Sequence, residues 1–229
     1  PEAGNVLMAL VLASIYLGAS NAVREIVKER AVLRREQNFG LSVTAYLGSK
    51  VLVLGTVTVA QAALLVVLGT ARQGGPADGV WFLPGETELV AIVVVTGLSA
   101  LCLGLLISAF VESADKAMTL LPVMLFAQFL MAGLIFPVAT LGIQQLSWLT
   151  TARWGFAGAS STADFWTLRG CASPAAPAQC STLWQHAVAP WLLSYGMLCL
   201  LALGALALAW RAIVRRDPAE ILRRNVSAR

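Results

Sequence analysis

Five long apolar stretches, separated by charged or Gly/Pro-containing connections, dominate the chain. They cover approximately residues 5–22, 46–71, 89–111, 118–138 and 187–214. A helix needs about 20 mostly apolar residues to cross the roughly 30 Å of hydrocarbon in a bilayer. The pattern therefore predicts an all-α fold, a polytopic membrane helical bundle with five spans in this chain. We expect residues 1–229 to form one transmembrane domain, with an outer loop at 139–186.

The composition is typical of a chain that lies mainly in lipid. Of the 229 residues, 58% are hydrophobic and 12% are charged, and the mean hydropathy is +0.77. A soluble domain carries roughly a quarter of charged residues. Disordered, fibrous and nucleic-acid-binding classes are therefore excluded, although the pI is near 9.2.

Basic residues are concentrated in the connections after the first, third and fifth apolar stretches. The opposite connections hold only Arg72, Arg153 and Arg169. Cytoplasmic loops are enriched in Lys and Arg, so the pattern predicts a multi-pass plasma membrane protein with its amino end outside and its carboxyl end in the cytoplasm. An outside amino end without a cleavable signal leads us to expect a preceding helix, and hence six spans in the intact domain.

The first connection, residues 23–38, combines an incomplete apolar stripe with dense charge and predicts an amphipathic cytoplasmic helix. Gly40 is placed to stop this helix, and Ser42 to cap the next span. A basic amphipathic helix often binds lipid headgroups. Acids interrupt the basic residues here, at Glu25, Glu29 and Glu36. This mixture favours a protein partner.

The region between the fourth and fifth stretches mixes aromatic and polar residues. Its pattern predicts short re-entrant or interfacial helices, with Trp148, Trp154 and Phe156 in an aromatic belt at the outer interface. Cys171 and Cys180 lie in the polar loop that follows. On the outer side an oxidising compartment allows a disulfide to persist, so we predict a bond between these cysteines.

No residue pattern indicates a catalytic, cofactor-binding or metal-binding site. The one histidine, His186, has no second His or Cys cluster beside it in the sequence. The tripeptide Gly48-Ser49-Lys50 lacks the upstream glycine and residue order of a Walker A loop. The predicted spans contain no Asp or Glu, whereas ion-driven carriers place ionisable groups at membrane depth. If the chain transports a substrate, we expect the energy for transport to be supplied from outside the membrane, through the charged helix at 23–38.

Several short motifs follow one another along the chain. They are Asn21-Ala22-Val23-Arg24-Glu25-Ile26-Val27-Lys28-Glu29-Arg30, Arg35-Glu36, Gly40, Tyr46, Lys50, Asp115-Lys116-Ala117, Pro122, Ala132-Gly133-Leu134, Pro137, Trp148 and Arg153-Trp154-Gly155. In their order and topology these motifs resemble the ABC-2-type permeases of the ABC transporter G (White) subfamily. The amino-acid sequence at residues 21–27, 146–149 and 153–157 is most similar to that of actinobacterial FHA-domain-containing ABC exporters, of the mycobacterial phosphatidylinositol mannoside exporter type.

This resemblance implies the membrane domain of an ATP-driven exporter that moves a lipid or glycolipid-like substrate out of the cytoplasmic leaflet. It implies a homodimer of half-transporters. ATP and Mg would be bound, and ATP hydrolysed, by a nucleotide-binding domain, expected in the same polypeptide together with FHA domains. The chain itself is expected to hold no cofactor. The alternative is a non-transporting membrane scaffold or sensor whose basic helix recruits a cytoplasmic partner.

The resemblance also implies roles for individual residues. Coupling to the ATPase domain is expected from Glu29, Arg30, Arg35 and Glu36. The substrate cavity is expected to be lined by Ser14, Leu17, Phe126, Phe129 and Leu130. An outer hydrophobic valve is expected at Leu134 and Ile135. Position 17 lacks the aromatic ring that clamps flat drugs in some relatives, which favours a flexible, apolar cargo.

Overall fold

The computed structural model describes residues 2–71, 74–134, 141–173 and 180–215. Helices fill most of these ranges: α1 Glu2–Ala22, α2 Glu25–Asn38, α3 Val43–Thr70, α4 Gly85–Phe110, α5 Ala114–Met131, α6 Leu141–Trp148, α7 Thr151–Thr162, α8 Phe165–Leu168 and α9 Val188–Val214, with a 3-10 turn at Thr182–Trp184. The helices α1, α3, α4, α5 and α9 are long and apolar enough to cross a membrane. The predicted all-α, five-span membrane bundle is therefore confirmed.

Helix α4 lies at the centre of the bundle and packs against α1, α3, α7 and α9. Its backbone comes very close to that of α1, because a Cβ built at Gly18 would lie 2.0 Å from the Gly97 carbonyl oxygen. Two turns further along α4, a Cβ at Gly104 would lie 2.8 Å from the Ala19 carbonyl oxygen. Glycine is required at these positions because any side chain would separate the two helices.

Helix α4 begins at Gly85, four residues before the predicted third span. The added turn contains Glu88, whose side chain is fully buried. Its carboxylate accepts hydrogen bonds from the backbone amides of Val80 at 2.7 Å and Trp81 at 2.8 Å. The predicted span 89–111 contains no acidic residue, but α4 begins one turn earlier and includes Glu88, whose buried carboxylate is satisfied by two amides of the preceding loop.

Two hydrophobic cores follow one another along the bundle axis, and we name each after the short helix at its end. The α7-end core packs large side chains from α7, α8 and the 3-10 turn against α1 and α4, including Phe156, Phe165 and Trp184. The α2-end core packs Ile26 and Leu33 of α2 against α4 and α9. Helix α2 is thus part of the folded bundle, and α4 contributes to both cores.

Helix α7 is buried in the bundle. Trp154 is 2% exposed and Phe156 is fully buried, whereas Trp148 of α6 is 49% exposed. Small residues allow this burial, since Cβ atoms at Gly155 and Gly158 would lie 2.7 Å from Thr96 and 2.6 Å from Ile92 of α4. The aromatic belt predicted over this segment is therefore wrong for Trp154 and Phe156, which are core residues.

Helix α5 is the least enclosed of the spanning helices. It contacts α1, α4, α6 and α7, and only 17% of its most apolar window is buried. Pro122 lies in its third turn, and the helix is continuous from Ala114 to Met131. Much of α5 therefore faces away from the rest of this chain.

Candidate functional site

The turn between α2 and α3 contains the stop and cap residues that the sequence predicts. Helix α2 runs from Glu25 to Asn38, and Gly40 follows with a φ of +92°, a left-handed conformation that favours glycine. The Leu41 amide donates to the Glu36 carbonyl at 3.2 Å and closes this turn. Ser42 then caps α3, with its side chain accepting from the Ala45 amide. The predicted roles of Gly40 and Ser42 are both confirmed.

One face of α2 is tied to α3 by an ionic cluster. Lys50 of α3 donates to Glu29 at 2.7 Å and to Glu25 at 3.1 Å, and the Tyr46 hydroxyl donates to Glu29 at 3.0 Å. The hydrogen bond from Lys50 holds the pKa of Glu29 below its ordinary value, and partial burial acts in the opposite direction. Glu29 is thus engaged within this chain.

The same end of α2 is tied to α4. The Arg30 guanidinium donates from Nη2 to the carbonyls of Ser108 and Ala109, each at 3.3 Å, and to that of Val111. In return, the Ser108 hydroxyl accepts hydrogen bonds from backbone amides in the first turn of α2. The structure therefore directs Arg30, like Glu29, toward the bundle.

A second, exposed surface of α2 holds the other two residues predicted for coupling. Arg35 and Glu36 are exposed, and they share this face with Val32, which is 47% exposed, and Phe39, which is 87% exposed. The spacing of three to four residues places these side chains side by side along the helix. We call these four residues the exposed α2 face. Val32 and Phe39 were missed by the sequence analysis, although their spacing was visible.

The five residues expected to line a substrate cavity differ in their burial. Ser14 is fully buried, and its hydroxyl donates to the Val93 carbonyl of α4 at 2.8 Å. In this chain the Ser14 side chain therefore packs α1 against α4. Leu17, Phe129 and Leu130 are half-buried, whereas Phe126 on α5 is 63% exposed.

A cavity of about 200 Å³ opens at the α7 end, between α1, α3 and α4. Its walls include Leu7, Leu10, Gly69 and Leu89, and the lining contains none of the expected cavity residues. Those residues lie instead on α1 and α5, where this chain leaves α5 largely uncovered.

The remaining predicted residues lie at the α7 end. Leu134 is half-buried and packs against the α7-end core, close to α1 at Gly4. Ile135, the second residue of the expected valve, lies outside the described residues. Cys171 and Cys180 are joined by a disulfide, with their Cα atoms 5.8 Å apart.

A polar side chain also joins α5 to α7. Gln128 is 4% exposed, and its Oε1 accepts a hydrogen bond from the Ala152 amide at 2.9 Å. Thr150, the residue before α7, provides no side-chain cap of its own. Gln128 therefore caps α7 from a neighbouring helix, a contact that the sequence analysis did not predict.

Five apolar helices and a charged helix docked at one end of them define a multi-pass membrane permease domain. The chain belongs to the ABC-2 type transporter family, whose sequence profile matches residues 2–163. It is also 35% identical over 203 residues to the ABC transporter ATP-binding/permease protein Rv1747 of Mycobacterium tuberculosis (strain ATCC 25618 / H37Rv). That alignment covers 88% of this chain and 23% of the relative, so the chain spans about a quarter of the relative's length. The family implied by the motifs is confirmed.

Proposed function

We propose that this chain is the membrane domain of an ATP-driven exporter that moves a lipid or glycolipid-like substrate out of the cytoplasmic leaflet. The observation that carries the proposal is the division of α2 into two faces. One face is fixed to α3 and α4 through Glu29 and Arg30. The other presents Arg35 and Glu36 beside exposed apolar side chains. A helix built in this way can receive a force and pass it to the spans.

The partner of the exposed α2 face would be a nucleotide-binding domain. An exposed aromatic ring with charges of both signs is typical of protein interfaces, whereas an anionic bilayer attracts a mainly basic face. The similar mycobacterial protein is named an ATP-binding/permease protein, which supports a nucleotide-binding domain in the same polypeptide. Because the motifs in this sequence resemble those of FHA-domain-containing exporters, FHA domains would accompany it, and α2 and the carboxyl end would lie in the cytoplasm.

The transport path would form between two copies of the chain. Helix α5 is largely uncovered, and with α1 it offers a face on which a second copy can complete a cavity. Leu17, Phe126, Phe129 and Leu130 would line that cavity. ATP binding would draw the nucleotide-binding domains together, move α2, and open a path past Leu134 and Ile135. Leu134 already packs beside α1, at the end of the path that would lead outside.

Single charge reversals test the exposed α2 face in the transporter assembled with its ATP-binding domain. We expect Arg35→Glu and Glu36→Lys to lower the ATPase activity stimulated by NBD-labelled phosphatidylinositol about fivefold or more, because each places a like charge opposite a complementary group. Asp78→Lys, a reversal at an exposed residue far from α2 in the α3–α4 loop, is the control and should leave stimulation unchanged.

Phe39→Ala tests the apolar part of the same face. It should reduce stimulation as well, whereas Phe82→Ala, which removes an 84% exposed ring in the α3–α4 loop, should not. Native mass spectrometry should show unchanged dimer assembly for every variant. Normal stimulation in Arg35→Glu, Glu36→Lys and Phe39→Ala would contradict the coupling assignment. Vesicles in which ATP moves no labelled lipid would favour a scaffold or sensor.

A further inference from the structure

Helix α2 starts without a cap of its own. Arg24 precedes its first residue and makes no side-chain hydrogen bond to the helix. The first-turn amides of Ile26 and Val27 instead donate to the hydroxyl of Ser108, each at 3.0 Å. Ser108 is fully buried and lies in the last turn of α4, about 80 residues further along the chain. The cap of α2 is therefore supplied by the central helix of the bundle.

The contact is reciprocal. Arg30, in the second turn of α2, donates to the carbonyls of Ser108, Ala109 and Val111 at the end of α4. Carbonyls in the last turn of a helix lie beyond its regular hydrogen-bond pattern and carry the negative end of the helix dipole. A guanidinium is suited to this position, because its charge is permanent and its several N–H groups can reach adjacent carbonyls. Each helix thus caps the other.

This contact connects α2 to the most tightly packed part of the molecule. Above Ser108, α4 meets α1 with almost no side chain between them, at Gly104 and Gly97. The other end of α4 packs against α7 through Thr96 and Ile92. Close-packed helices of this kind transmit a displacement with little deformation. A shift of α2 that keeps its bonds to Ser108 would therefore reach the α7 end through α4.

We propose that Ser108 and Arg30 form a reciprocal clasp that makes α2 and α4 move as one unit, and that both are positioning residues for energy coupling. The clasp gives Arg30 a role inside the membrane domain, in place of a direct contact with the ATP-binding domain. Its role in transport rests on the proposed function above, but the existence of the clasp does not. The two can therefore be tested separately.

The clasp itself is tested by hydrogen exchange on the assembled transporter without nucleotide, with fragmentation that resolves single amides. Ser108→Ala should raise the exchange rates of the Ile26 and Val27 amides about fivefold to tenfold, the usual effect of losing a helix cap. Ser99→Ala is the matched control. It removes another buried hydroxyl from α4, one without a hydrogen-bond partner among the described residues. Equal rates in Ser108→Ala and Ser99→Ala would overturn the clasp.

Arg30→Gln provides a second variant from the other side of the contact. It should raise amide exchange in the first two turns of α2, whereas Arg35→Gln, on the exposed α2 face, should leave exchange there unchanged. If Ser108→Ala assembles poorly, the exchange rates of Arg30→Gln test whether the clasp exists. Exchange that rises equally in Arg30→Gln and Arg35→Gln would also overturn the clasp.

The coupling role is tested by repeating the measurement after trapping with ATP and vanadate. In the native protein, trapping should change exchange in the first turn of α2 and in the last turn of α4 together. In Ser108→Ala, the change at α2 should remain and the change at α4 should fall about fivefold or more. Equal changes at α4 in both proteins would overturn the positioning role. If trapping does not change amide exchange in α2 of the native protein, the proposed function is contradicted. That result would not contradict the existence of the clasp.

Discussion

Helices α1 and α4 meet at Gly18 with no side chain between them, and Gly18→Ala should separate them. The Cβ of the new alanine would lie 2.0 Å from the Gly97 carbonyl oxygen, 2.9 Å from the Gly97 carbonyl carbon and 3.2 Å from the Leu101 amide nitrogen. All three atoms belong to the backbone of α4, so no side-chain rotation can relieve the contact. An ordinary contact for such a carbon is about 3.5–4.0 Å. The helices would have to move apart by more than about 1 Å.

The expected loss of stability follows from three contributions. Overpacking of a well-packed core costs about 1–3 kcal/mol, and the upper end applies here because the contacts are with backbone. Separation would also stretch the 2.8 Å hydrogen bond from Ser14 to Val93, and such a bond contributes about 1 kcal/mol. Against this, alanine is favoured over glycine in a helix by about 1 kcal/mol. The net effect is a loss of about 2–3 kcal/mol.

Thermal unfolding of the detergent-solubilised protein measures this difference. A loss of that size should lower the midpoint by roughly 5–10 °C in a domain of this length. Gly204→Ala is the matched control, because it makes the same change in α9, where a Cβ would have no neighbour within 4 Å. Its midpoint should be unchanged or slightly higher. A Gly18→Ala midpoint equal to that of Gly204→Ala would refute the close approach of α1 and α4.

Two further predictions concern the α7 end. Gln128→Leu keeps the side-chain volume but leaves the buried Ala152 amide without its acceptor, so stability should fall by about 1–3 kcal/mol. The exposed Gln145→Leu should have little effect on the same thermal midpoint. Replacing both Leu134 and Ile135 with alanine should change either ATP-driven movement of labelled lipid or basal ATPase activity, because it removes the side chains of the proposed valve. Normal values for both activities would count against a valve.

The spans and the ends of α2 could be predicted because their causes are local. Long apolar runs determine the five spanning helices, and Gly40 ends α2 through its own backbone conformation. The exposure of Arg35 was also available from helical periodicity. Glu29 and Arg30 lie beside the buried Ile26 and Leu33 and share the packed face, whereas Arg35 lies on the opposite side of the helix. Glu36 follows Glu29 by seven residues, so periodicity places it on the same side as Glu29, and its exposure could not be predicted in this way.

The contacts that were missed join residues distant in the chain. Nothing near Arg24 in the sequence indicates that α2 is capped by Ser108 of α4. Similarly, Glu88 reads as a polar residue before a span, because the loop amides that receive its carboxylate become visible only in the folded chain. Tertiary hydrogen bonds of this kind decide burial, and a single sequence carries no local signal of them.

The burial of α7 was missed for a related reason. Alternating aromatic and polar residues fit both a membrane interface and a helix enclosed on every side. The distinction depends on Gly155 and Gly158, which allow Thr96 and Ile92 of α4 to approach. These glycines indicate close packing only once the partner helix is known. The composition of the segment could therefore predict a short helix but not its surroundings.

The central claim is that energy reaches these helices from ATP through α2. It is tested most directly by reconstituting the assembled transporter in vesicles and following NBD-labelled phosphatidylinositol with a membrane-impermeant quencher. We expect lipid movement only with ATP and Mg, abolished by vanadate and strongly reduced in Arg35→Glu. Movement driven by a proton or sodium gradient without nucleotide, at a rate unaffected by Arg35→Glu, would contradict the account.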